Sequence, residues 1–319
     1  MFARLMILKA SEMRPVRKMI TQSRAFRPLI RRFVAGETLD QAIAAAEELL
    51  PKGIYVSLDY LGENVQSREE AVHAKNTYIE ILKRIAAIKE VMPMDHVGYA
   101  DGLVETVNLS VKLTQCGLDQ SDDFAEENYR EVLAVAKAIG NFVRVDMEGS
   151  PYTERTVKLV ERVHVDYPNT GTVLQSYLYR TTEDVEWAAM RRLRIRLVKG
   201  AYFEEADVAY QEKMRVDEAY MRLAERMLEA CAYPAFATHD EALIEKIQRS
   251  AKALNLPKDR FEFQMLFGVR RDLQEKLVAE GHRMRVYIPY GESWYPYFSR
   301  RLAERPANAL FALKSLFKG

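Results

Sequence analysis

The chain has 319 residues, of which 48% are hydrophobic and 29% are charged, with a formal net charge of +1. This length and this hydrophobic content allow a large buried core, and α/β barrels routinely use such a length as one domain. The near-zero net charge argues against a nucleic-acid partner, and the two widely separated cysteines, Cys116 and Cys231, argue against a disulfide framework and indicate a reducing compartment.

The amino-terminal segment is basic, because residues 1–35 carry nine Arg and Lys residues against the single acid Glu12. Apolar residues interleave with these charges, as in helices that lie on an anionic membrane surface. The same pattern also suits helices that pack on the protein's own acidic body. Arg4 and Lys9 interrupt the start too early for a secretory signal, and no apolar run reaches the length of a membrane span. We therefore predict a cytoplasmic protein, and a peripheral contact with the inner membrane face stays open.

After the pair of helices expected in residues 1–35, a third helix is predicted at Thr38–Leu50. Thr38 and Gln41 have the spacing of a capping box, and the helix ends at Pro51-Lys52-Gly53. We accordingly divide the chain into an amino-terminal helical segment, 1–52, and a catalytic domain, 53–319.

From residue 54 onward, short apolar or β-branched runs alternate with longer stretches of helical periodicity. The predicted strands are Ile54–Leu58, Val104–Leu113, Phe142–Met147, Thr172–Tyr177, Arg194–Val198, Ala235–Thr238, Phe261–Leu266 and Arg285–Ile288. The predicted helices are Ser67–Lys89, Phe124–Ala138, Thr153–Val165, Thr182–Arg192, Asp207–Ala230, Glu241–Ala253, Asp272–Ala279 and Trp294–Glu304, with an extra helix near Asn308–Phe317. Eight strand-then-helix units predict an α/β fold of the (β/α)8 TIM-barrel type, and a doubly wound open sheet is the alternative.

Most of the predicted strands end in residues that can do chemistry. In a β/α barrel the active site lies at the carboxyl ends of the strands, so these side chains are expected to meet at one mouth. In chain order they are Lys112, Asp146, Gln175, Arg196 with Lys199 to Tyr202, Thr238 to Asp240, Gln264 with Leu266, and Tyr287. A single residue of this kind is more often part of a structural ion pair, but buried charges are costly unless they are paired or used. The whole set therefore favours an active site.

The predicted helix after the last strand places four functional side chains on one face: Tyr297, Arg300, Arg301 and Glu304. The alternative is a solvated face on which Glu304 only pairs with Arg300. Neighbouring guanidinium groups repel each other, and an anion beside them relieves that repulsion. The pair therefore indicates a site for a small carboxylate. Motifs for dinucleotides, for phosphates and for metal ligands are absent from the sequence, so no metal is predicted.

The chain resembles the FAD-dependent proline dehydrogenases of the monofunctional bacterial type. The strings that carry the resemblance are SVKLTQCGLD, VRVDMEGS, VLQSYLYRT, RIRLVKGAYF, ATHD, FEFQMLFGV, RVYIPYG and YFSRRLAERPAN, within residues 54–310. The resemblance implies a distorted β/α barrel that holds FAD and oxidises L-proline to Δ1-pyrroline-5-carboxylate. It also implies transfer of a hydride from proline C5 to flavin N5, and a quinone as the electron acceptor.

The resemblance also implies roles for individual residues. Arg300, Arg301 and Lys112 would bind the proline carboxylate, while Tyr287, Tyr297 and Leu266 would surround the ring. Asp146 and Arg196 would be catalytic beside the flavin. FAD would contact Met147, Gln175, Arg196, Lys199, Gly200, Ala201, Tyr202, Thr238, His239, Gln264 and Glu304. Glu304 would also pair with one of the arginines that clamp the carboxylate and fix its orientation. Asp240 stands where the family often has Asn, and we do not count it as a ligand, because its charge would repel a pyrophosphate.

Two other functions fit parts of the sequence. Lys112 or Lys199 at a strand end could form a Schiff base, as in a barrel aldolase or lyase. Residues 1–35 could instead serve a scaffold on a membrane surface, without catalysis. A flavoprotein would be yellow and the other two would be colourless.

Overall fold

The fold was examined in a computed structural model that describes residues 13–22, 26–62, 65–89, 95–96 and 103–304. Its strands are β1 Ile54–Tyr60, β2 Asp95–His96, β3 Leu103–Val104, β4 Val107–Val111, β5 Val143–Val145, β6 Thr170–Gln175, β7 Arg194–Val198, β8 Ala235–Ala237, β9 Glu262–Leu266 and β10 Arg283–Tyr290. Its helices are α1 Arg14–Gln22, α2 Arg27–Phe33, α3 Leu39–Leu49, α4 Arg68–Lys89, α5 Asp122–Ala138, α6 Ser150–His164, α7 Thr181–Met190, α8 Lys213–Ala230, α9 Glu241–Ala253, α10 Arg271–Ala279 and α11 Trp294–Glu304.

Eight strands close into a barrel in the order β1, β10, β9, β8, β7, β6, β5 and β4. All neighbouring strands in it run parallel. The strands are rich in β-branched and apolar residues and are buried on both faces, as the helices of a β/α barrel require. The predicted (β/α)8 barrel is therefore confirmed. No helix in the described ranges combines the length and the apolar character that crossing a membrane would need.

The helix predicted at Thr38–Leu50 is confirmed as α3, with its capping box. The Gln41 amide donates to Thr38 Oγ1 at 3.4 Å, and the Thr38 amide donates to Gln41 Oε1 at 3.2 Å. This helix packs against β1 and β10 on the outside of the barrel. The last helix, α11, packs instead on α2. Helix α3 therefore covers the outer face of β1 and β10. Helix α11 lies instead near the mouth of the barrel, at the carboxyl ends of the strands.

Several predicted boundaries differ from the structure by one to three residues, and two predicted elements differ by more. The run Val104–Leu113 is not one strand, since β3 pairs antiparallel with β2 and the barrel strand begins only at Val107. Glu105, between the two strands, forms a bidentate ion pair with Arg194 at 3.0 and 3.2 Å. The helix predicted from Asp207 begins at Lys213, because the preceding loop pairs with the loop after β6 through the Leu178–Ala209 bridge. The extra helix predicted near Asn308–Phe317 lies outside the described residues.

The amino-terminal end of the barrel interior is charged and dry. Arg144, Glu262 and Arg285 are 0% exposed. Glu262 accepts from Arg285 Nε at 2.8 Å and from Arg285 Nη2 at 3.1 Å. The remaining Arg285 donors reach the carbonyl oxygens of Val56 and Glu105. A buried ion pair is tolerated only when its charged groups are hydrogen-bonded, as Glu262 and Arg285 are here. We refer to the region around Arg144, Glu262 and Arg285 as the barrel floor.

Candidate active site

A cavity of about 630 Å³ opens at the carboxyl ends of the strands, opposite the barrel floor. It brings together the side chains that the sequence predicted at one mouth. The predicted residues that line it are Lys112, Asp146, Met147, Gln175, Arg196, Lys199, Gly200, Ala201, Tyr202, Thr238, His239, Gln264, Leu266, Tyr287, Tyr297, Arg300 and Arg301. The Glu304 side chain lies outside the described residues, so its predicted support of a clamp arginine is not tested. The individual roles of the lining residues stay predictions.

Arg196 occupies the centre of the site, where each part of its guanidinium has a partner. Nη1 donates to Asp146 Oδ1 at 2.6 Å, Nη2 donates to Ser110 Oγ at 3.2 Å, and Nε donates to Gln264 Oε1. The Tyr287 hydroxyl donates to the other Asp146 oxygen at 2.6 Å. Burial, together with the Asp146 charge, raises the pKa of Tyr287 well above its usual value, so this hydroxyl stays protonated. The guanidinium plane is therefore fixed at the base of the cavity.

Lys112 pairs with an acid that the sequence analysis did not single out. Its Nζ lies 2.6 Å from Asp59 Oδ1, and the two side chains are 9% and 1% exposed. Burial raises the pKa of Asp59, and the positive charge of Lys112 opposes that shift. Asp146, in turn, engages Arg196 and Tyr287. Asp59 stands near the end of the first strand, so the rule that singled out the other strand ends would have found it.

A group of alternating charges lies at the rim of the cavity. Lys199 Nζ is 2.6 Å from Asp217 Oδ1 on α8 and 3.2 Å from Asp240 Oδ2 at the start of α9. Lys213 pairs with the same two acids. Asp240 thus pairs with lysines, which offsets the charge that led us to leave it out as a ligand. Asp217 could not be identified from the sequence, because it stands within a helix whose orientation depends on the barrel.

The backbone at Gly200, which lines the cavity, packs closely against the Tyr177 ring. Gly200 has φ +120°, and a Cβ there would lie 2.4 Å from the Tyr177 ring, so only glycine fits. The neighbouring loops are tied together by Glu204, which accepts from the Ser150 amide at 2.7 Å, and by Gln175, which donates to the Glu148 carbonyl at 3.0 Å. These bonds hold the strand ends as one rigid rim.

The side of the cavity formed by β8 and β9 is fixed through His239. Its Nε2 accepts from the Leu266 amide at 3.0 Å, while the Thr238 hydroxyl accepts from the Asp240 amide at 3.1 Å. The first bond joins the imidazole to the backbone at the end of β9, and the second lies in the turn between β8 and α9. The imidazole therefore has a set orientation beside the cavity.

Helix α11 brings two arginines to the cavity from outside the barrel. Arg300 and Arg301 both line it, and the Arg301 guanidinium lies 5.4 Å from the centre of the Tyr297 ring. The helix is held by Phe298, which is 0% exposed and stands 6.4 Å, ring to ring, from Phe33 of α2. Two adjacent guanidinium groups fixed at one cavity favour an anionic ligand.

The charges that line the cavity are unequal in sign. Its cations are Lys112, Arg196, Lys199, Lys213, Arg300 and Arg301, and its carboxylates are Asp59, Asp146 and Asp240. The excess of positive charge suits a ligand with carboxylate or phosphate groups. Both strand-end lysines stand in ion pairs with acids, Lys112 with Asp59 and Lys199 with Asp217.

Comparison with known proteins identifies relatives over nearly the whole chain. The family model described as "Proline dehydrogenase" matches residues 42–313. The chain is 40% identical over 294 residues to "Proline dehydrogenase" of Deinococcus radiodurans, covering 91% of each protein. It is 40% identical to "Proline dehydrogenase 1" of Bacillus subtilis strain 168, covering 90% of each.

Longer proteins contain a similar region. The "Bifunctional protein PutA" of Escherichia coli K12 is 28% identical over 90% of this chain, which spans only 24% of that protein. The crystal structure of proline utilization A from Bdellovibrio bacteriovorus, inactivated by N-propargylglycine, aligns with a TM-score of 0.81 and 27% identity. That alignment covers 95% of this chain and 36% of the longer one. The likeness is therefore to one part of these larger proteins.

Proposed function

The chain belongs to the proline dehydrogenase family, of the monofunctional bacterial type, and is an oxidoreductase acting on proline, and we propose that it does so with FAD. The cavity at the strand ends is the proposed FAD site. The observation that carries the proposal is the excess of cations in one cavity at the strand ends. Gly200 lines the same cavity with its backbone, and the Tyr177 ring occupies the space that a side chain there would need.

Substrate binding is assigned to the two arginines of α11 and to Lys112, which follows β4. Arg300, Arg301 and Lys112 bind the carboxylate of L-proline, and the walls formed by Tyr287 and Tyr297 restrict the ring. A small ring fixed at its carboxylate has little remaining freedom, which lowers the entropic cost of reaching the reactive orientation. The same walls exclude water from the reacting carbon.

FAD held in this cavity would supply, at its flavin N5 position, an acceptor for the hydride lost from proline C5. The protein supplies charge and orientation. Arg196, fixed by Asp146, presents positive charge to the cofactor pocket, and Lys199 adds a second cation at the rim. Because both oxygens of Asp146 accept hydrogen bonds, its role is to hold Arg196 and Tyr287 in place. Loss of the hydride from C5 and of a proton from the ring nitrogen to solvent would give Δ1-pyrroline-5-carboxylate.

The test is the visible spectrum of the purified chain under anaerobic conditions, before and after L-proline is added. We expect a yellow protein that bleaches with L-proline, and an R300M/R301M variant that stays yellow at the same proline concentration. A colourless protein that reconstitution with FAD leaves colourless would overturn the cofactor assignment. Trapping of substrate on a lysine by borohydride would instead support the Schiff-base alternative.

We further propose that a membrane quinone accepts the electrons, and that α1 and α2 contact the anionic lipid surface. Their apolar residues, such as Ile20, Phe26 and Phe33, are buried. The alternative of packing on the protein therefore accounts for the apolar side. The exposed cations of the two helices are Arg14, Arg17, Lys18, Arg27, Arg31 and Arg32, and no carboxylate of the described residues forms a salt bridge with them. Each such cation contributes about 1 kcal/mol near an anionic membrane.

Vesicle sedimentation tests this contact. We expect the protein to sediment with vesicles that contain phosphatidylglycerol and not with pure phosphatidylcholine, and we expect high salt to release it. The R27E/R31E variant should lose most of the binding while it keeps its activity with a soluble dye acceptor. Equal sedimentation of the variant and the parent would contradict the assignment.

A further inference from the structure

A continuous chain of hydrogen bonds links the cavity to the barrel floor. Arg196 Nε donates to Gln264 Oε1, and Gln264 Nε2 donates to Glu262 Oε1. Glu262 then accepts from Arg285 at 2.8 and 3.1 Å. Glu262 and Gln264 are two residues apart on β9, so their side chains point to the same face of the strand. Among these residues Arg196 and Gln264 line the cavity and Glu262 does not.

Glu262 determines which end of the Gln264 amide faces the cavity. An ionised carboxylate only accepts hydrogen bonds, so it attracts the NH2 group of the glutamine and turns the carbonyl oxygen toward Arg196. A guanidinium only donates, so the opposite orientation would set two donors against each other. The charge on Glu262 therefore selects the one amide orientation that satisfies Arg196.

The structure keeps Glu262 ionised and immobile. It is 0% exposed, and its second oxygen accepts from the Tyr233 hydroxyl at 3.2 Å as well as from Arg285. Burial opposes the charge, but the attraction of Arg285, with smaller contributions from Arg144 and Arg194, lowers the pKa of Glu262 to about 2. Gln264 is itself 2% exposed.

We propose that Glu262 is a positioning residue for the reaction, acting on Arg196 through Gln264. This inference rests on the proposed flavin function, because the consequence of a misdirected Arg196 is a weaker preference for the reduced, negatively charged cofactor. The residue lies outside the cavity, so substrate binding does not depend on it directly. Loss of the chain is expected to change the cofactor's reduction potential and kcat, and to leave KM for proline nearly unchanged.

The test compares E262Q, Q264M and the double variant. A glutamine at 262 offers both a donor and an acceptor, so either orientation of the Gln264 amide becomes allowed. Q264M removes the amide that joins Glu262 to Arg196, which we call the relay. Q264M leaves the Glu262–Arg285 ion pair in place, so the test remains valid if E262Q does not fold. Gln274 supplies the control, because it is also 2% exposed, lies on α10 and does not line the cavity; its amide donates to the Val269 carbonyl at 2.8 Å and to the Leu266 carbonyl at 3.5 Å.

The first readout is the midpoint potential of the bound flavin, measured with kcat and KM. We expect E262Q and Q264M each to lower the potential by about 30 mV, equivalent to a tenfold change for two electrons, and to lower kcat about tenfold. The double variant should be no worse than either single one, because both break the same chain. Q274M should keep the parent potential. Additive effects in the double variant, or a parent-like potential in E262Q or Q264M, would overturn the proposal.

The second readout does not need the flavin reaction. In the full-length protein labelled with 15N-arginine, the Arg196 Nε–H resonance, assigned with R196K, reports its hydrogen bond directly. We expect E262Q and Q264M to shift it and Q274M to leave it in place. If the protein fails to hold flavin but the resonance moves as expected, the relay stands and the proposed function fails. If the resonance of Q264M does not move, the proposed hydrogen-bond chain is refuted, whether or not the protein binds flavin.

Discussion

The buried pair of Asp59 and Lys112 allows a quantitative test that is independent of the cofactor. The ammonium and the carboxylate lie 2.6 Å apart, with side chains 9% and 1% exposed. Each is neutralised by the other, so D59N or K112M alone leaves one charge in a dry environment. D59L/K112M removes both charges and replaces them with apolar groups of comparable size.

The expected magnitudes follow from this burial. Removing one partner of a buried ion pair costs about 3–5 kcal/mol, whereas replacing both with apolar side chains is close to neutral. For a chain of 319 residues, a loss of about 4 kcal/mol corresponds to roughly a 6 °C fall in Tm, from an unfolding entropy of about 2.1 cal/mol/K per residue. The double variant should therefore recover most of the stability that each single variant loses. The double variant should nevertheless bind proline less tightly than the parent, because it lacks Lys112.

The assay is urea unfolding followed by tryptophan fluorescence, with the parent, both single variants and the double variant at one pH. A midpoint shift without a change in slope identifies a change in stability. The reasoning fails if K112M or D59N unfolds at the parent midpoint. It also fails if the losses in the double variant add, since additivity would mean that the two side chains do not interact.

Three further outcomes follow from the site. R300M and R301M should each raise KM for proline at least about tenfold, since losing a hydrogen bond to a charged group costs about 1.5–3 kcal/mol. Steady-state kinetics with a dye acceptor measures this change. Unchanged kinetics in both variants would show that the two arginines do not bind the proline carboxylate. The lowered pKa of Glu262, about 2 against 4.5 when unfolded, stabilises the fold by about 3 kcal/mol above pH 4.5, and this contribution disappears as the pH falls through 2. Urea midpoints between pH 5 and pH 2 should therefore fall more steeply for the parent than for E262Q, and parallel curves would contradict the linkage. Y287F should lose about 1.5–3 kcal/mol of stability with the hydrogen bond to its carboxylate partner, whereas Y179F, whose hydroxyl bond is exposed, should change little on urea unfolding; equal losses would rule out a special role for the buried bond.

The sequence was sufficient for the order of the elements and for the end of the barrel that carries the site. Strand and helix periodicities are local, so most elements were located, and α9 and α11 have the predicted bounds. The capping box of Thr38 and Gln41 is likewise a contact between near neighbours. Since parallel strands end at one edge, residues at strand ends could be grouped without knowing their partners.

The partners themselves depended on the closed barrel. Asp59 meets Lys112, and Arg196 meets Asp146 and Gln264, across sequence separations of 50 residues or more. Closure also decided that α3 covers β1 and β10 while α11 lies near the mouth. Local patterns tell which face of a strand points inward, but which inward-facing charges touch is fixed only by strand order and register. The amino-acid sequence therefore determined the barrel and its reactive end, and the tertiary structure alone determined how each charge in that end is paired and held.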